Sequence, residues 1–83
     1  MKWIKNHVYV CGWGSNPKIV FINIFKEYKP SGIIFECIYP EKYKVKNAIV
    51  GNRTLEQEIN HIVDLGPYTT FKDFQNNYPE YFI

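Results

Sequence analysis

Arginine is nearly absent from this chain: of ten basic residues only Arg53 is an arginine, and the formal net charge is +2. That removes the bidentate fork favoured in phosphate and guanine recognition. No basic field remains to drive strong nonspecific nucleic-acid binding. Cysteine is scarce too, with only Cys11 and Cys37, each inside an apolar run where a reduced thiol packs as a small hydrophobe. A disulfide scaffold of this length would need more cysteines, so the composition points to a reducing, cytoplasmic compartment. No apolar run approaches the length of a membrane span. The stretch after Lys2, Lys5 and His7 is broken by Gly12, Gly14 and Asn16 before it reaches signal-peptide length. Neither His7 nor His61 belongs to a spaced set of histidine, cysteine and carboxylate, so no metal and no cofactor is expected. Repeats, linkers and low-complexity tracts are lacking as well.

What is present suits one domain spanning 1–83, whose function must lie on its own surface. Hydrophobic residues make up 46% and aromatic residues 18% of the chain, enough for a core without staples and for some aromatics to stay outside. Tyr and Trp are enriched at binding interfaces. The abundance of Lys, Ile, Asn, Tyr and Phe suits AT-rich coding sequence, as in a low-GC bacterium or its phage.

Val8-Tyr9-Val10-Cys11 reads as a first strand, stopped by Gly12-Trp13-Gly14-Ser15-Asn16. Ser15 or Asn16 would cap a helix opening at Pro17, in which Phe21, Ile24, Phe25 and Tyr28 recur at helical spacing; a buried strand is the competing reading of this run. Ser31-Gly32 is a turn, and 33–39 reads as a central strand, apolar on both faces except for Glu36. Tyr43-Lys44-Val45-Lys46 alternates as a strand whose lysines guard an edge, running on through Ala48-Ile49-Val50 to Gly51. Thr54-Leu55-Glu56-Gln57 fits a capping box before a helical stripe of Leu55, Ile59, Ile62 and Val63, closed by Gly66-Pro67. Thr70 caps a last short helix ending before Pro79. The expected fold is therefore α/β or α+β: a β-α-β-β-α order with a short C-terminal helix, and a three-stranded sheet covered by helices. A right-handed crossover would make its first two strands parallel neighbours.

The loop from Cys11 to Pro17 joins a strand end to an expected helix N-terminus, where free amides hold anions. Gly12, Gly14, Ser15 and Asn16 are its candidate phosphate- or nucleotide-binding residues, although Pro17 stands where a dinucleotide fingerprint has its third glycine. The run Val10-Cys11-Gly12-Trp13-Gly14-Ser15 locally resembles the phosphocysteine loop of sugar-phosphotransferase IIB components, which implies a phosphoryl carrier. Packing as an inert core thiol is the other reading of Cys11. The two histidines are expected to face solvent, and Glu41, Glu56, Glu58 and Asp64 to be solvated. Glu36, within an apolar strand, must pair, for instance with a lysine of the following strand, or turn toward solvent, or serve a site.

Aromatics interleaved with lysines over 39–46 and 71–81 suit either base stacking or a protein-binding face. Near-absence of arginine favours protein. The sequence thus reads as a small non-enzymatic protein-binding module with no catalytic residues. Trp13, Tyr39, Tyr43, Tyr78, Tyr81 and Phe82 are its partner-binding anchors, and the lysine-bearing edge strand is available for strand addition to a larger protein. A phage or mobile-element inhibitor of a host enzyme or defence complex is one form of that reading. The alternatives are the glycine-loop anion binder and a weak single-stranded nucleic-acid binder.

Overall fold

The computed structural model describes residues 2–14 and 19–82. Five strands, β1 (His7–Trp13), β2 (Ile19–Lys29), β3 (Gly32–Tyr39), β4 (Val45–Gly51) and β5 (Ile59–Pro67), accompany two short helices, α1 (Asn52–Gln57) and α2 (Phe71–Asn77). The strands form one sheet in the order β4-β3-β2-β1-β5, and every neighbouring pair is antiparallel. The expected three-stranded, helix-covered sheet is therefore wrong. The two strands expected to be parallel neighbours, now β1 and β3, are separated by β2.

The first error is the helix expected from Pro17 to near Lys29-Pro30. Its described part, from Ile19 on, is the longest strand of the sheet. Phe21, Asn23 and Phe25 face one side, while Val20, Ile22 and Ile24 face the other. With both faces buried, the polar residues that would reveal a period of two are missing. Phe21, Ile24, Phe25 and Tyr28 match a helical spacing by coincidence. The competing reading, a buried strand, is the correct one.

The second error is the helix expected over 54–66. α1 stops at Gln57, its N-cap is Gly51 with no side-chain capping bond, and Ile59 onward pairs with β1 as β5. Ile62 and Val63, which share a helical stripe, pack on opposite faces of the sheet. A capping box contributes about 1 kcal/mol. Pairing β5 satisfies the backbone along the otherwise open edge of β1 and buries apolar groups on both faces, which outweighs that local preference. β1 runs on through Gly12 and Trp13, which were expected to stop it, and β4 begins at Val45, after a 3-10 turn over Glu41–Tyr43, not at Tyr43. Strand β3 matches the sequence reading. So does α2, where Thr70 Oγ1 accepts a hydrogen bond from the Asp73 N–H at 3.1 Å.

The sheet carries a core on each face. Under α1 lie Tyr9, Cys11, Phe25, Ile33, Phe35 and Val50, with Leu55 of α1 and Trp3 packed on them. Under α2 lie Val8, Val10, Ile22, Ile24 and Ile38, with Phe74 set into them. Each buried aliphatic or aromatic side chain contributes about 1.5–3 kcal/mol, so two such layers stabilise a sheet with little helix.

Candidate functional site

A sheet of this kind has two edges, and they are built differently. β5 is blunted: its ladder with β1 shifts register at Val8/Tyr9 and at Gly12/Trp13, Gly66 has φ +96°, and the strand ends in Pro67. Register shifts and proline are ordinary devices against unwanted strand pairing. β4 lacks them. It pairs with β3 in unbroken register from Gly32↔Gly51 to Phe35↔Ala48.

The Asn52 N–H donates to the Ser31 carbonyl at 2.9 Å, which sets the phase of that ladder. Antiparallel pairs alternate between bonded and non-bonded, so Val50 and Ala48 direct their amides at β3, and Ile49 and Gly51 direct theirs outward. Side chains along this edge are open as well: Ile49 is 68%, Val45 45% and Tyr43 42% exposed. Lys42, Lys44 and Lys46 are exposed among them. Gly32 makes the close β3–β4 approach possible, because a Cβ there would lie 2.0 Å from the Val50 carbonyl oxygen.

Tyr43 is held by more than its own turn. Its ring meets Phe21 edge-on at 5.3 Å, Phe21 meets Trp13 edge-on at 5.6 Å, and the Trp13 Nε1–H donates to Glu58 Oε2 at 2.9 Å. Lys42 Nζ sits 5.0 Å from the centre of the Tyr43 ring. Two of the expected anchors, Trp13 and Tyr43, thus belong to one aromatic row reaching the β4 edge. Phe21, the residue that joins them, was missed because it was assigned to a helix.

Tyr39, Tyr78, Tyr81 and Phe82 lie on the opposite face. All four are half-buried against the second core, with Tyr39 5.1 Å from Phe82 and Tyr78 6.1 Å from Phe74 between ring centres. Much of their apolar surface is used inside the domain, and they do not join the Trp13–Tyr43 row.

The glycine loop departs from its expected geometry. Gly12 is a buried residue within β1, paired with Val20 and His61, and the helix whose amides would hold an anion is replaced by β2. Ser15 and Asn16 lie outside the described residues. Gly14 has φ +79°, its N–H donates to the Glu58 carbonyl at 3.3 Å, and its own carbonyl accepts from Asn60 Nδ2 at 2.7 Å. The shallow hollow beside it is lined by Trp13, Gln57, Glu58 and Asn60, and the carboxylate of Glu58 opposes a bound anion.

Cys11 is 2% exposed, and burial pushes its thiol up to about 11, partly offset by a hydrogen bond from Asn23. A phosphoryl carrier needs an accessible thiolate, so the resemblance to the phosphocysteine loop does not extend to the chemistry. Cys37 is also buried and free, and burial raises its thiol. No family model, curated protein or solved structure matches this chain.

Several other polar groups have partners within the domain. Glu36 pairs at 3.5 Å with Lys26 of β2, the neighbour on the side opposite to the expected lysines of β4. Two carboxylates read as solvated are engaged: Asp64 bonds His7 Nδ1 at 3.0 Å and accepts from the Gly66 N–H at 2.8 Å, and Glu58 holds Trp13. His7, expected in solvent, is half-buried by that bond, while His61 is exposed. Asn23 was not singled out, yet it is buried at the wall of a cavity of about 10 Å3, room for one water. Among the described residues, no group of three or more His, Cys, Asp or Glu is placed to hold a metal ion. No helix among them is long and apolar enough to cross a membrane.

Proposed function

We propose that this chain is a non-enzymatic protein-binding domain whose larger partner adds an extended segment to the outer edge of β4 and packs on Tyr43 and the row behind it. The observation that carries this reading is the contrast between the edges: β5 has two register shifts and a terminal proline, while β4 keeps unbroken register from Gly51 to Ala48 and is flanked by exposed Ile49, Val45 and Tyr43. Strand addition draws affinity from main-chain hydrogen bonds and specificity from alternate side chains, both of which β4 offers. A phage- or mobile-element-encoded inhibitor of a host enzyme or defence complex is the form of this reading that the small size and composition favour. Base stacking is less favoured, because the aromatics of the 71–81 segment turn onto the second core.

The test is affinity capture from a low-GC bacterial lysate with wild type, Ile49→Pro and Tyr43→Ala, each first checked for cooperative unfolding. Proline removes an N–H that faces outward and is tolerated on edge strands, so Ile49→Pro should fold yet lose the partner. A partner retained by folded Ile49→Pro would rule out strand addition at β4.

A further inference from the structure

Charge along this edge is segregated in a way the overall balance conceals. From Lys42 to Arg53 the chain places four of its ten basic residues and none of its eight acidic ones. Two lysines of β2 do have partners: Lys26 lies 3.5 Å from Glu36, and Lys29 3.4 Å from Glu27. Among the described residues, Lys44 and Lys46 are in no ion pair, and both are exposed, Lys46 within β4 and Lys44 just before it on the chain that leads to the outward-facing backbone of Ile49 and Gly51. Building on the strand-addition reading above, we infer that the segment received by β4 is an acidic one, alternating carboxylate and aliphatic side chains.

Lysines on an edge strand are a common guard against self-pairing, because a like strand would bring like charges together. That accounts for Lys44 and Lys46 but not for the exposed Ile49 and Val45, which a purely guarded edge would replace with polar groups. An acidic strand reconciles the two. Opposite charges across neighbouring strands attract, like charges repel, and the aliphatic positions meet their counterparts on the same strand. The same lysines thereby disfavour a second copy of this chain and select an acidic partner, with long-range attraction speeding the encounter.

The experiment uses the full chain and three labelled heptapeptides, of alternating valine and glutamate, valine and threonine, and valine and lysine, read by fluorescence anisotropy. Wild type should bind the glutamate peptide about tenfold more tightly than the threonine peptide at about 0.05 M salt, and the gap should close at about 0.5 M. Lys44→Glu/Lys46→Glu alters only exposed side chains, so it should fold and reverse the preference toward the lysine peptide. Lys44→Gln/Lys46→Gln should bind the glutamate and threonine peptides alike. Equal binding of glutamate and threonine peptides by wild type overturns the acidic partner while leaving strand addition in place. No binding of any peptide also overturns it, and the Ile49→Pro capture then decides separately whether the edge reading survives.

Discussion

Raising the pH tests how deeply Cys11 is built into the core. Its thiol is pushed from 9.0 to about 11, with burial the largest cause. In the unfolded chain the thiol ionises near pH 9, while the folded chain keeps its proton until about pH 11. Stability from this group is therefore complete below about pH 9 and lost as the pH climbs through about 11. At about 1.4 kcal/mol per pH unit, the loss attributable to Cys11 across that window is about 3 kcal/mol. Urea unfolding of wild type and Cys11→Ala, from about pH 8 to about pH 11, reads it by difference, together with the small charge coupling through which Cys11 raises Tyr9 and Cys37 raises Cys11. Wild type should lose about 2 kcal/mol more than the variant by about pH 11, the remainder of the loss falling above it. Parallel curves would mean that Cys11 ionises as readily in the folded chain, reopening the reactive-thiol reading.

Phe74→Ala should cost about 3–5 kcal/mol in urea unfolding, because Phe74 is 5% exposed and fills the second core beneath α2. A loss below about 1 kcal/mol would mean that α2 is not anchored there. Gly32→Ala places a Cβ against the Val50 carbonyl and Gly51 Cα, both backbone atoms, so β4 must move away from β3. Hydrogen exchange should show faster exchange at Val50 and Ala48, while β1 amides keep their protection. Unchanged Val50 protection would contradict the close approach.

Some of this fold was legible because its signals are local. Thr70 caps α2 through its own side chain, Gly51 ends β4, and Lys42, Lys44 and Lys46 mark the chain entering β4 as exposed wherever the rest of the chain goes. The burial of Cys11 and Cys37 was legible on the same terms, from the apolar runs around them. Of the candidate site, Tyr43 and the lysine-bearing edge were readable in the sequence. The row through Trp13 and Phe21 was not, since it joins side chains from three distant segments that only strand pairing brings together.

By itself the sequence determined that this is a chain with apolar surface for a core, buried thiols, a capped C-terminal helix and exposed lysines leading into a strand that ends at Gly51. Composition and neighbouring residues carry those properties. Tertiary structure alone decided that 19–29 and 59–67 are strands, because their patterns suit helix and strand alike until β1 offers both of its edges for pairing. It also decided which aromatics remain outside. Tyr78, Tyr81 and Phe82 turn onto the second core while Tyr43 stays on the rim, since burial depends on which face of the sheet is already covered.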